Sequence, residues 1–256
     1  SDINPGATSY AYMSRNRHGA AAFIGHGPNN DIPMVGQSMG AVQVPIAYAA
    51  VGAEVTNEDA RQYSFGVNGN LAQDLGGAMR EACDNLMELS IIFGTPDLGF
   101  NGWIDYPGLT VMTPEASSAV PASTKWEDKN GVEIVSDINS ALNFLWQNSR
   151  TIFKPTTIFL PLKQFAQITN MPMVIGATSA SSGTGIAVNV IDYVVTNNVM
   201  YRVTGRELEI IPSRYLEGAG AGGSDRMVIM DRRKENQILP FPLPYQLSEP
   251  QPKPLA

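Results

Sequence analysis

Chemistry in this chain would fall to a short set of side chains. Cys83 is the single cysteine, and His18 and His26 are the only histidines. A thiolate nucleophile needs its base within hydrogen-bond reach. One of the two histidines would therefore have to cross from the N-terminal segment to the helix that carries Cys83. The histidines stand eight residues apart with no acidic residue between them. Neither an i, i+4 pair nor a C-x-x-C is present to hold zinc. Gly183-Thr184-Gly185 lacks the third glycine of a dinucleotide fingerprint, and no GKS/T phosphate loop occurs. Asp97 and Asp105 flank the aromatic residues of SIIFGTPDLGFNGWIDYPG, residues 90–108, and suggest a carboxylate pair. Acids in a turn-rich loop, however, ordinarily cap and form turns. Free cysteines ordinarily behave as small buried hydrophobes. The residues thus assemble no catalytic, cofactor or metal constellation, and a soluble hydrolase with an acidic loop site is the weaker reading.

The totals narrow the class further. A chain of 256 residues with 43% apolar content can bury a real core as one large or two small domains. Its 24 glycines and 18 prolines exceed the usual share and point to many turns. A net charge of −7 argues against a partner gripped through phosphate neutralisation. With one cysteine no intrachain disulfide can form, which fits a reducing compartment. No apolar run approaches the roughly 18 residues of a membrane span, and no signal-peptide pattern opens the chain. The first residue is Ser1, which reads as a processed or trimmed start.

The elements come next. Residues 1–67 carry no sustained helical period. Val42, Val44 and Ile46 alternate with Gln43 and Pro45 as in a strand, and the stretch around Ala22 to Ile24 is the expected opposing strand. A segment this long and loosely patterned fits poorly inside one compact domain, so it reads as an arm whose partner surface lies on another subunit. Arg15 and Arg17 in that arm, and Arg232-Arg233-Lys234, are small basic clusters that suit acidic surfaces on neighbouring copies, with a solvated turn an equal reading of the last.

From Asn68 the spacing of Leu71, Leu75, Ala78, Met79, Ala82, Leu86 and Leu89 predicts a helix of about 25 residues. Gly76 and Gly77 in its middle each cost about 1 kcal/mol relative to alanine, and the expected compensation is close approach by another backbone. The loop at residues 90–108 follows, with four glycines and two prolines. Gly94 is expected to stop the helix and Pro96 to prevent its continuation. Phe100, Trp103 and Tyr106, followed by Pro107, are expected to pin a corner by burial.

A second helix is signalled by Ile138, Ala141, Leu142 and Leu145, with Ser136 or Asp137 as its cap. PTTIFLPL reads as a buried strand, and Pro161 opens a short helix through Lys163 to Ile168. Residues 176–185 and 219–224 are expected loops, while IAVNVIDYVV, RELEII, RMVIM and NQILPF read as strands. The proline-rich tail is extended. Strands and helices segregate in place of alternating, which makes the fold class α+β.

Taken in order, VPIAYAAVGAEVTNEDARQY, the long helix, FGTPDLGFNGWIDYPG and SDINSALNFLWQNSRTIFKPTTIFLP resemble the major capsid proteins of tailed bacteriophages. Those have the Hong Kong 97-like fold, which encapsulin shell proteins share. The resemblance covers roughly residues 20–245 and rests on the order and spacing of the motifs. It implies an N-terminal arm at residues 1–18, an extended β-hairpin loop at 19–55 and a peripheral domain with a long spine helix at 56–170. An axial domain at 171–231 and a C-terminal return to the peripheral domain at 232–256 complete it.

The implied function is a structural subunit, without catalysis or cofactor, that self-assembles as hexamers and pentamers into an icosahedral head around double-stranded DNA. The implied partners are further copies of the chain, with portal, scaffold and decoration proteins, and no membrane. The implied location is the virion, after assembly in the host bacterial cytoplasm. An encapsulin-type compartment is the alternative within the same class. Arg15, Arg17, Val42, Val44 and Ile46 become candidate inter-subunit contacts, Gly76 and Gly77 a candidate bend between immature and expanded shells. An acidic subunit also suits a container that must not adhere to the polyanion inside it.

Two departures stand out. Many relatives continue past the proline-rich tail into a further strand, whereas this sequence stops at Ala256; either the peripheral sheet keeps an unpaired edge or the sequence is short of its natural end. Some relatives seal their shells with a lysine–asparagine isopeptide bond whose lysine sits in the extended loop, but here residues 1–124 contain no lysine. Purified particles are therefore expected to run as an intact monomer band on a denaturing gel; a covalent ladder would contradict this.

Overall fold

A computed structural model of the protein describes residues 4, 6–22, 33–67, 71–175, 186–233, 236, 245 and 246. The chain divides into two compact units, residues 1–107 with 239–256, and residues 108–238. The division falls at Pro107, where the aromatic loop ends.

The first unit contains a long ribbon and two helices. Strand β1 (Ser9–His18) pairs antiparallel with β2 (Gly36–Pro45) over ten residues, from Ser9 opposite Pro45 to His18 opposite Gly36. The opposing strand is thus Ser9–His18, not the stretch around Ala22 to Ile24, of which Phe23 and Ile24 lie outside the described residues. Tyr10 and Tyr12 of β1 stand opposite Val44 and Val42 of β2, aromatic on β-branched pairs that favour this register. Ile46 lies just past β2, its N–H donating to the Thr8 carbonyl at 3.0 Å.

Helix α1 (Asn57–Val67) corrects the reading of residues 1–67 as free of helix. Its start was written in Thr56-Asn57-Glu58-Asp59. The Asp59 N–H donates to Thr56 Oγ1 at 3.1 Å, and the Asp59 carboxylate accepts from the Thr56 N–H at 3.3 Å. This is a reciprocal cap with aspartate in the place of glutamate. Helix α2 (Leu71–Phe93) follows, 23 residues long. Among the described residues, nothing outside the helix's own adjoining backbone lies within 4 Å of a methyl group built on Gly76 or Gly77, so none of them makes the close backbone approach expected there. Tyr245, beyond the second unit in sequence, donates its hydroxyl to Asp84 Oδ1 of α2 at 2.6 Å. That bond to a carboxylate pushes the phenol up to about 12.

The second unit holds a contiguous apolar core. Helix α3 (Gly131–Asn148) places Ile134, Ile138 and Leu142 at i, i+4 and i+8, all fully buried. Its cap is Asn130, not Ser136 or Asp137: Asn130 Oδ1 accepts the Glu133 N–H at 3.0 Å, and Glu133 Oε2 accepts the Asn130 N–H at 2.9 Å. Hydrogen bonds from Ser118, then from Asn130, hold the Glu133 carboxyl below its ordinary range.

The sequence reading missed this start because Asp137 resembles a cap but has another task. Asp137 Oδ2 accepts Trp126 Nε1 at 2.9 Å and Lys129 Nζ at 2.5 Å, in a pair whose side chains are 5% and 1% exposed for aspartate and lysine respectively.

Strand β5 (Thr157–Leu160) is central in a three-stranded mixed sheet, parallel to β8 (Glu209–Pro212) and antiparallel to β9 (Val228–Met230). These match PTTIFLPL, RELEII and RMVIM, while NQILPF falls almost wholly outside the described residues. Just after β9, burial pushes the Asp231 carboxyl up, but Arg233 and the Lys154 N–H outweigh it and hold it below the usual range.

Helix α4 (Leu162–Asn170) begins after Pro161, and strands β6 (Pro172–Ile175) and β7 (Ile186–Asn189) pair antiparallel. IAVNVIDYVV is a strand only as far as Asn189. Helix α5 (Val190–Thr196) follows, with Val190 and Val194 fully buried at i and i+4. A short apolar run does not distinguish strand from helix by periodicity; the core contact of those two valines decides. Helix α6 (Val199–Thr204) is joined to α5 by Asn198, which caps it through the Tyr201 N–H at 2.8 Å and donates to the Val194 and Val195 carbonyls.

Removing one partner of the buried pair leaves a charge in the core without compensation. Asp137→Ala is expected to lower the unfolding free energy by about 3–5 kcal/mol, read as a shift in denaturant midpoint. Lys129→Met combined with Asp137→Leu, which removes both charges, is expected to lose clearly less.

Candidate functional site

Two features singled out in the sequence, the corner after α2 and the ribbon of β1 and β2, meet within the first unit. The corner begins where α2 runs out of its own hydrogen bonds. The last carbonyls of a helix have no partner inside it; here the Trp103 N–H donates to the Ile91 carbonyl at 2.9 Å and the Ile104 N–H to that of Ile92 at 3.1 Å. To reach them the chain reverses through β3 (Gly94–Thr95) and β4 (Phe100–Asn101), paired antiparallel, with a 3₁₀ turn at Pro96–Leu98 between them.

Gly94, at φ 74°, is in the left-handed region that favours glycine. A methyl group there would stand 2.3 Å from the Gly102 nitrogen, and one on Gly102 would stand 2.2 Å from the Phe93 carbonyl carbon. Both contacts are with backbone, so no side chain can swing aside to relieve them. The two glycines permit the return strand to lie against the helix end.

The burial in this corner differs from the expectation. Gly102 and Ile104 are buried, the latter 3% exposed, while Phe100 and Trp103 are half-buried and Tyr106 is 52% exposed. The aromatic trio therefore does not pin the corner as a buried cluster; backbone pairing and Ile104 hold it. Pro96 opens the 3₁₀ turn and Pro107 is exposed at the end of the unit.

Tyr106 has a different task. Its hydroxyl hydrogen-bonds that of Tyr12 in β1, and this bond, followed by the charge on Tyr106, raises the Tyr12 phenol above its ordinary value. Pro45, the last residue of β2, lies 4.0 Å from a methyl group built on Gly99. The corner thus supports the base of the ribbon.

The ribbon presents two faces, because cross-strand partners share a side. Tyr10, Tyr12, Val42 and Val44 occupy one face, where Val44 is half-buried and Val42 is 42% exposed. Met13, Arg15, Arg17, Met39 and Ala41 occupy the other. Met13 and Met39 are 70% and 63% exposed, and Arg15 and Arg17 are exposed beside them. Of the remaining candidates, Cys83 is half-buried and unpaired with any other cysteine, and Asp97 and Asp105 are exposed. His18 ends β1 over Gly36, and His26 lies outside the described residues. Among the described residues no cluster of three or more His, Cys, Asp or Glu is placed to hold a metal ion, and no helix is long and apolar enough to cross a membrane.

Comparisons with known proteins agree with this architecture. The sequence model of a family described as "Major capsid protein" matches residues 19–256. Among solved structures, the chain is similar to "The capsid of Myoviridae Phage XM1", with a TM-score of 0.59 and 13% identity over 88% of this chain and 70% of that one. No protein of curated function matches the chain.

The paired glycines yield a contrast. Gly94→Ala or Gly102→Ala is expected to destabilise the protein by about 1–3 kcal/mol, the range for forced backbone strain. Gly76→Ala and Gly77→Ala, in open helix interior, are each expected to stabilise the unassembled subunit by up to about 1 kcal/mol. Urea unfolding of the four variants measures both.

Proposed function

The chain belongs to the major capsid protein family, and we propose that it assembles as hexamers and pentamers into an icosahedral head enclosing double-stranded DNA. Its role is that of a structural capsid subunit, and its place is the virion. The finer reading takes the Hong Kong 97-like fold as its frame, with α2 as the spine helix and the β1–β2 ribbon in the extended loop. The subdivision into arm, loop, peripheral, axial and return segments belongs to the same reading. So does assembly in the host cytoplasm with portal, scaffold and decoration proteins.

One observation carries the proposal. The ribbon is two strands wide and about 34 Å long at the usual rise per residue, with apolar side chains open on both faces. A two-stranded hairpin on its own is at best marginally stable. Another copy that covers one face would bury Met13 and Met39 and bring partners to Arg15 and Arg17. Val42 and Val44 on the opposite face, and Ile46 just past the base, are separate candidates for contact with other copies. Such a subunit has no substrate to transform, and the proposal assigns it no catalysis.

Electron microscopy of the expressed chain is expected to show closed particles tens of nanometres across, as shells of many copies require. When they form in infected cells, they are expected to protect DNA from nuclease. A small soluble oligomer would refute shell formation. Closed particles that hold protein cargo and no DNA would replace the phage head with an encapsulin-type compartment.

A further inference from the structure

Charge is segregated within the first unit. The described ribbon and its flanks, residues 6–22 and 33–53, carry Arg15 and Arg17 and no acidic residue. Residues 54–107 carry nine acids against Arg61 and Arg80, an excess equal to the net charge of −7 for the whole chain. Neither ribbon arginine enters an ion pair among the described residues. Of the acidic helices, α1 is the one its own chain covers least. Every residue of α1 with a described exposure is exposed, except the half-buried Tyr63. Tyr63 donates its hydroxyl to Asp74 of α2, which ties one side of α1 down. At about 100° per residue, Glu58 and Phe65 fall within about 20° of each other on the opposite side. Phe65 is 94% exposed, and Glu58 makes no ion pair among the described residues. A helix of 11 residues is marginal in water without a packed face.

We infer that α1 of one copy lies along the Met13–Arg17 face of another copy's ribbon, with Phe65 on Met13 and Met39 and Glu58 at Arg15 and Arg17. This rests on shell formation as read above and names the segment that covers that ribbon face. Spacing supports the match. Arg15 stands opposite Met39, and Met13 and Arg17 flank Arg15 on the same side, each about 7 Å away along the strand. Glu58 and Phe65 are about 10 Å apart along the helix axis. A helix laid along the ribbon with Phe65 over the two methionines therefore leaves Glu58 within reach of both arginines. Charge supports it too. Residues 54–67 hold three acids and one arginine, a net −2 against the two ribbon arginines, and such complementarity selects partner and register. Methionine sulfur also packs favourably on an aromatic ring. The acids of α2 are less available, because Asp74 and Asp84 already accept from Tyr63 and Tyr245. Phosphates of a nucleic acid would meet the arginines but leave Met13 and Met39 uncovered.

The test uses the full-length chain under assembly conditions. Benzoylphenylalanine placed at Phe65 is expected to photo-crosslink within particles to a second copy, at a peptide from residues 9–18 or 36–45. Arg15→Glu and Glu58→Arg are each expected to lower particle yield about tenfold or more, because like charges then face each other. The unfolding temperature of the dissociated subunit should stay at the wild-type value in both. Combined in one chain, the two substitutions are expected to restore most of the yield, as coupled partners do. Adducts on α2, within the same chain or on nucleic acid overturn the proposal. So does wild-type yield from either single variant, or a combined variant that assembles no better than the single ones. A drop in subunit stability that parallels the loss of yield would assign these residues to folding and overturns it too. If the wild-type chain forms no particles, shell formation fails along with it; particles whose adducts from position 65 lie elsewhere remove only this contact.

Discussion

The close approach of two backbones at Gly94 and Gly102 is the constraint on which the first unit depends. Helix α2 must end with its carbonyls satisfied, and the chain itself supplies the donors by folding back so that Trp103 and Ile104 bond Ile91 and Ile92. Antiparallel return at that distance leaves no room for a methyl group on either glycine. Everything attached to the corner inherits its position from this contact. Tyr106 reaches the ribbon through Tyr12, and Gly99 meets Pro45 at the end of β2. A rigid turn at the end of a long helix therefore supports the least self-sufficient element of the chain.

The second unit works by different physics. Its core is a dense set of fully buried aliphatic side chains from α3, β5, α4 and α5, and it needs no help from the ribbon to hide them. One ion pair, Lys129 with Asp137, is enclosed beside that core and shared with the Trp126 indole. Such a pair contributes little net stability compared with apolar packing, yet losing half of it is expensive. It fixes the segment before α3 relative to the helix. The contrast between the units is one of burial, with one part built around its own apolar core and the other leaving apolar side chains exposed.

Much was legible in the sequence where local chemistry and final structure agree. The periodicity of Leu71 through Leu89 yielded α2, and Pro161 marked the start of α4. The order of motifs pointed to the capsid family that the family match shows. The misses have specific causes. Helix α1 escaped because its cap uses Asp59 where glutamate is the familiar signal, and its apolar stripe is thin. Asp137 resembles a cap because an acid before an apolar run usually is one, while Asn130 and Glu133 form the true box, which starts about two turns earlier.

By itself, the sequence determined the elements whose signals are local: the long helix, the glycine and proline punctuation of the corner, and the absence of lysine from residues 1–124. The alternation at residues 42–46 also marked a strand in the N-terminal segment. Only the tertiary structure decided which strand pairs with residues 36–45, because pairing partners depend on distant register and not on either strand's pattern. It also decided that Asn189 divides strand from helix, since burial of Val190 and Val194 outweighs the β preference of a valine-rich run. And it transferred the task of holding the corner from three aromatic rings to two glycines and Ile104. Residue type announces bulk, but only the path of the backbone shows where bulk is excluded.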